Sequence, residues 1–294
     1  KSLEEIERRY EPSSIMHIRS LHSRVFVHIL SGNMHEASNY AEKFHFIARN
    51  CEYKTVEAFS WYLLGNIALQ AFNEDVAVQS FNGARCFLGM SNYRMNFDAL
   101  AGLILFNSLK KNERDTELLL QEMSEMASKL KDLKYKIYYQ SIRARVSWQT
   151  GQGDKVLEWA QTDWTKQSPA SYFFLIDVPD LTKIRIMVSH GTDLQATEAL
   201  CVLADVEAFL DSIHNKYHRI DIELLKAMAL LRIGRKELAI ESLKKALLSA
   251  EKEDRIMPVM EAYRVMPSLF DLVVQDRNFS RLLSRIGLTS SNNG

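Results

Sequence analysis

The chain has 294 residues with 37 basic and 37 acidic side chains, so its formal net charge is zero, and hydrophobic residues make up 47%. This balance fits a well-packed globular chain and gives no basic footprint for nucleic acid or an acidic membrane surface. The longest apolar runs are too short to span a bilayer, and the sequence predicts no signal peptide. We therefore expect a cytoplasmic protein with no membrane contact.

The three cysteines and the ends of the chain add to this expectation. Cys51, Cys86 and Cys201 lie far apart in apolar helical patterns, which predicts reduced core thiols in a reducing compartment. The chain begins at Lys1 rather than methionine and ends in a polar stretch at residues 290–294. We expect a disordered tail there, and a chain that is a piece of a longer protein.

A long proline-free region predicts a series of helices in pairs. No proline occurs between Ser13 and Ser168, and the apolar periodic segments there are separated by Gly, Asn or Lys-Asn turns. These turns, with two later ones, fall near residues 32, 72, 112, 151, 191 and 234, a spacing close to 40 residues. Such a period predicts six antiparallel helical hairpins, each stable only when stacked on its neighbours.

The second hairpin, residues 59–88, carries the clearest signature. Its spacing is that of a tetratricopeptide hairpin, W-x2-L-G-x2-A followed by A-x3-F-x2-A. Gly65 and Ala77 are expected to let the two backbones approach closely, while Trp61, Leu64 and Phe81 fill the seam. The sixth hairpin repeats these offsets, so the fold prediction is all-α: a right-handed superhelix of about six tetratricopeptide-like repeats over residues 1–254.

Two segments depart from the period. Residues 168–179 carry two prolines around Tyr172, Phe173 and Phe174, which predicts either a bent helix start or a loop packed over the concave face. After Asp254 the pattern shortens, and short helices near residues 268–274 and 279–286 predict a C-terminal helical cap over residues 255–294.

The end of the array resembles a known family. Residues 227–250, AMALLRIGRKELAIESLKKALLSA, are similar to the last full repeat of the helical-repeat sensor region in MalT-type, ATP-dependent LuxR-family transcriptional regulators. Residues 255–273, RIMPVMEAYRVMPSLFDLV, resemble the segment that follows it, with Met266 where that family usually has glycine. The resemblance extends over residues 15–286 and implies a domain that senses an inducer or partner for a bacterial activator.

The other parts of such regulators have no counterpart in this sequence. It contains no G-x-x-x-x-G-K-[ST] phosphate-binding loop and no helix-turn-helix with a basic recognition helix. The resemblance therefore implies the sensing portion alone, without direct nucleic-acid contact. A generic tetratricopeptide scaffold or peptide receptor in another pathway remains the alternative.

No catalytic constellation stands out, so we expect no enzyme, no cofactor and no metal site. His214 and His218 have the i,i+4 spacing of a metal-binding edge, but the polar stretch around them favours a solvated surface. The inner groove of the superhelix is instead expected to bind a protein, a peptide or a small-molecule inducer. Aromatic and polar side chains on first helices and in the proline-bounded segment are the candidate contacts: Tyr62, Tyr93, Asn96, Tyr139, Arg143 and Tyr172.

Overall fold

A computed structural model describes residues 5, 11, 14–87, 93–166 and 168–288, and these residues form helices and no strand. The polar tail at residues 290–294 lies outside the described residues. The α-helices are α1 Ile15–Leu30, α2 Met34–Arg49, α3 Lys54–Gln70, α4 Glu74–Arg85, α5 Tyr93–Leu109, α6 Glu113–Leu130, α7 Leu133–Gln149, α8 Leu157–Gln161, α9 Pro179–His190, α10 Asp193–Ser212, α11 Arg219–Arg232, α12 Lys236–Glu253, α13 Met257–Val265, α14 Pro267–Phe270 and α15 Ser280–Arg285.

The helices pack in neighbouring pairs, as the period predicted. Each first helix contacts its partner, and α3, α5, α7, α9 and α11 also contact one another in succession. The first helices therefore form an inner layer and the second helices an outer layer. The all-α, helical-repeat prediction is confirmed.

The turns inside the pairs follow one local rule. In five of them the amide three positions past the last helical residue donates to a carbonyl five residues earlier, for example Asn33 N to His28 O at 2.8 Å and Arg235 N to Leu230 O at 2.8 Å. A left-handed residue precedes that amide in each case: Gly32, Phe72, Lys111, Gly151 and Gly234. The fifth pair differs, because Thr192 and Gln195 form a capping box after Gly191.

Left-handed lysine at the end of α6 gives a stability prediction. Lys131 is exposed and has φ 53°, a conformation in which a Cβ costs about 1 kcal/mol. Lys131→Gly is expected to raise the free energy of unfolding by about 0.5–1 kcal/mol, measured by urea denaturation. Lys129→Gly is the matched control, since exposed Lys129 lies inside α6 and glycine there should cost about 1 kcal/mol. Equal effects of both substitutions would contradict the proposed cap.

The seam of the second pair is built around one phenyl ring. Phe81 is fully buried, and a Cβ placed on Gly65 would come within 2.7 Å of its ring. A Cβ on Gly102 of α5 would come closer still, so the ring lies between two glycines of neighbouring pairs. Trp61 covers Gly83 in the same way and is half-buried. The expected roles of Gly65 and Phe81 in close packing agree with these contacts.

The fourth pair is incomplete, and the segment after it runs inward. Its second half consists of a 3-10 turn at Gly153–Val156 and the short helix α8, where each predicted hairpin has one full second helix. A second 3-10 turn at Pro169–Phe173 then leads to an extended stretch before α9. Tyr172 is buried and the Leu175 carbonyl accepts from Tyr217 Oη at 2.7 Å. Of the two alternatives, the structure has the loop packed over the concave face.

The C-terminal helices pack at two different places in the array. α14 packs on α11 and α12, as a cap of the last pair would. α13 instead contacts α3, α7 and α11, so it lies against first helices of the second, fourth and sixth pairs. Much of the inner surface is thus covered by the chain itself.

Later parts of the chain also satisfy the carbonyls left free at the ends of first helices. Lys216 N donates to Leu30 O at 2.7 Å, and Ile256 N donates to Gln70 O at 2.7 Å. Arg264 Nη1 donates to Ser108 O at 2.7 Å and to Leu109 O at 3.0 Å. These long-range contacts cap α1, α3 and α5 and hold the superhelix in one arrangement.

Candidate functional site

The inner surface contains a buried charge network rather than an open groove. Its members are fully or almost fully buried and balance in charge: Arg145, Arg185 and Arg255 against Asp177, Asp221 and Glu261. Ionised groups at such depth need both ion pairing and hydrogen bonds to offset the loss of water. The geometry supplies both.

Arg145 is the centre of this network. It binds Glu261 of α13 through two nitrogens, Nε to Oε1 at 2.8 Å and Nη2 to Oε2 at 2.7 Å. Its Nη1 donates to Ile176 O at 2.8 Å and to Asp177 Oδ1 at 3.1 Å. Although burial favours a neutral guanidinium, Glu261 and then Asp177 raise the pKa of Arg145 further above its usual value. One arginine of α7 thus fastens both the 174–178 stretch and α13.

A second group of contacts lies beside it. Arg185 pairs with Asp221, and Arg255 donates to the Tyr217 carbonyl and to Gln70 Oε1 at 3.2 Å. Despite its burial, Asp221 has a lowered pKa, first because of Arg185 and then because of Arg255. The carboxylate is therefore ionised at neutral pH, and the network remains intact there.

His218 belongs to this interior as well. It is buried, with Nε2 3.0 Å from the Tyr172 carbonyl, and burial lowers its pKa to about 4. The prediction of a solvated surface around both histidines is wrong for His218, because the chain turns inward after the exposed His214. No group of three His, Cys, Asp or Glu side chains within the described ranges could hold a metal ion.

Three of the predicted ligand contacts lie in the interior. Tyr62 Oη donates to Asp98 Oδ2 at 3.3 Å, and Asn96 and Tyr172 are each 1% exposed. The Tyr172 carbonyl accepts from Asn215 Nδ2 at 3.1 Å. All three side chains are thus packed inside the chain in this arrangement.

The other three predicted contacts, on α5 and α7, are at least partly accessible. Tyr93, at the start of α5, is 46% exposed, and Tyr139 is half-buried against the core. Arg143 is exposed and lines a cleft of about 490 Å³ between the third and fourth pairs. The structure therefore supports only Arg143 as part of a concave site.

This cleft, named here the α6–α7 cleft, has a volume of about 490 Å³. The first turn of α6 and the last turns of α7 line it, with Gly153–Val156 and Arg264 of α13 at its border. Its lining residues are Ser108, Lys111, Glu113, Thr116, Glu117, Leu120, Arg143, Val146, Ser147, Thr150, Gln152, Lys155, Val156 and Arg264.

Sequence reasoning missed most of this lining. Ser108, Lys111 and Lys155 lie at helix ends whose relation is set by the stacking of two pairs, and Arg264 arrives from α13. The sequence around these residues carries no local signal of the cleft, because contacts between pairs form it.

The prediction of core positions for the cysteines is wrong for Cys86 and Cys201, which are exposed. Cys51 is half-buried and packs against the core.

None of the helices in the described part of the chain has both the length and the apolar character that a membrane span requires. A comparison with curated proteins found no match to the chain. A family model described as a tetratricopeptide repeat matches residues 224–253, which comprise most of α11 and all of α12. Together with the stacked helix pairs, this match identifies a tetratricopeptide-like helical-repeat region.

Proposed function

We propose that the chain is a protein-interaction module that binds a partner and performs no chemistry of its own. The observation that carries this proposal is the array of stacked helix pairs with its tetratricopeptide match at the sixth pair. Arrays of this kind present extended surfaces of regularly spaced side chains. Because the chain's own segments cover much of the inner layer, the partner is expected at the flank of the third and fourth pairs, near Tyr93, Tyr139 and Arg143.

Within that role, the finer proposal is the sensing region of a MalT-like, LuxR-family bacterial transcription regulator. The similarity of residues 227–250 and 255–273 to that family supports it. The second of these segments includes α13, which contacts the second, fourth and sixth pairs. An event at one pair could therefore be passed toward the side of the chain where such regulators carry their DNA-binding part. A cytoplasmic location, with no cofactor and no direct nucleic-acid contact from this region, belongs to the same proposal.

A generic tetratricopeptide scaffold or peptide receptor is the second candidate. The match at residues 224–253 fits it equally well, since such repeats occur in many pathways. The sequence that flanks this region in its native gene separates the two candidates. A nucleotide-binding segment before it and a helix-turn-helix after it are expected for a regulator, and flanks without either would exclude that reading.

Photo-crosslinking in the native host tests the interaction role itself. A benzoylphenylalanine at Tyr93 or Tyr139 is expected to capture one and the same protein, because both side chains are accessible on neighbouring first helices. The control position is Leu248, which is 57% exposed on α12, away from this flank. Equal capture at all three positions, or capture at none, would contradict the proposal.

A further inference from the structure

The α6–α7 cleft carries cationic side chains that lack an acidic partner. Lys111 and Arg143 form no ion pair with any residue that the structure describes, and Lys155 contacts only the Gln152 amide at 3.0 Å. Arg264 uses Nη1 for two backbone carbonyls and has no carboxylate within the described ranges. The lining thus holds four cationic side chains against two carboxylates, Glu113 and Glu117.

Size and polarity restrict what this cleft can bind. A volume of about 490 Å³ lies within the range of pockets that hold small molecules and is far too small for a folded partner. Arg143, Lys155 and Arg264 offer donors to an anionic oxygen. Glu113 and Glu117, on the opposite helix, offer acceptors to hydroxyl or ammonium groups.

We propose that the α6–α7 cleft is a binding site for a small anion that carries a carboxylate or a phosphate together with hydrogen-bond donors. The anionic group lies against Arg143, Lys155 and Arg264, and the donors face Glu113 and Glu117. Because Arg264 belongs to α13, the bound anion contacts the segment that ties the repeats together. This site rests on the proposed sensing role. It supplies that role with a small ligand, which binds in addition to the protein partner proposed for the array.

The test is calorimetric titration of the full chain with three probes at constant ionic strength. 3-Phosphoglycerate carries both anionic groups and a hydroxyl, citrate carries carboxylates with a hydroxyl, and inorganic phosphate carries neither carbon chain nor carboxylate. Saturable binding of 3-phosphoglycerate is expected, and the citrate and phosphate titrations assign it to carboxylate or phosphate recognition. Lack of saturable binding by all three would overturn the site, whereas it would leave the crosslinking test of the interaction role untouched.

One variant and one matched control distinguish a specific binding site from a general effect of positive charge. Arg143→Gln is expected to weaken binding about 10-fold, the scale of one hydrogen bond to a charged group. Arg235→Gln removes the same charge from an exposed position before α12 and should leave the affinity unchanged. Equal weakening by both would overturn the site.

Discussion

Glu261→Ala is expected to lower the free energy of unfolding by about 3 kcal/mol or more, because it leaves the buried Arg145 guanidinium short of its main counter-charge. The pair lies at 2.7 Å between side chains that are 5% and 1% exposed. Gln149 Nε2 loses its acceptor in the same variant. The loss in free energy of unfolding comes from the Arg145 guanidinium that stays buried without its partner. The ion pair itself contributes little, since replacing both partners with apolar residues is often nearly neutral.

Chemical denaturation measures this loss of stability. Two further variants separate the effect of the buried charge from that of removing any glutamate. Glu241→Ala is the matched control, because Glu241 pairs with Lys245 on the exposed face of α12, and no measurable change is expected there. Glu261→Gln keeps the shape and an acceptor but removes the charge, so its loss should lie between those of the two alanine variants. A Glu261→Ala variant as stable as Glu241→Ala would show that α13 is not held by this network.

The turns of the array could be predicted from the sequence because their cause is local. Gly32, Gly151 and Gly234 follow apolar periodic segments and take the left-handed conformation that ends a helix. Phe72 and Lys111 adopt the same conformation without being glycine, yet the following asparagine and the period still marked their turns. Each signal lies within a few residues of the structure it determines.

The covered inner surface could not be predicted, because its cause is distant in sequence. Arg145 and Glu261 are 116 residues apart, and the sequence around each of them does not predict its partner. A partial signal exists on α7, where Tyr138, Ile142 and Arg145 share one buried face at helical spacing. A charged residue on an apolar face indicates a buried partner, although it does not show whether that partner is a ligand or the chain itself.

This ambiguity explains the fate of the predicted ligand contacts. Aromatic residues with polar tips on first helices fit a groove and fit an interior equally well. The structure places Tyr62 inside, where it binds Asp98, and it packs the Tyr172 ring against Phe209 of α10 and His218 before α11. Arg143 remains exposed in the wall of the α6–α7 cleft. Coverage by remote segments, rather than residue type, decides which side chains a ligand can reach.

Phe81→Ala is the second substitution with a large expected effect. The ring is fully buried, and its two flanking positions are glycines of α3 and α5, which have no side chain to move into the space it leaves. The cavity should therefore persist, and the expected loss in free energy of unfolding is about 3–5 kcal/mol. Phe46→Ala is the control, since Phe46 is 73% exposed on α2 and its loss should change stability little.

The same glycines allow a test in which one substitution changes sign. In the wild-type background Gly102→Ala forces a methyl group onto the Phe81 ring and is expected to destabilise the chain. In the Phe81→Ala background the methyl group enters the cavity, and alanine also favours the helix by about 1 kcal/mol over glycine, so Gly102→Ala should stabilise. Urea denaturation of the four proteins in this cycle measures the coupling. If Gly102→Ala is equally destabilising in both backgrounds, then Phe81 is not the residue that sets the distance between the second and third pairs.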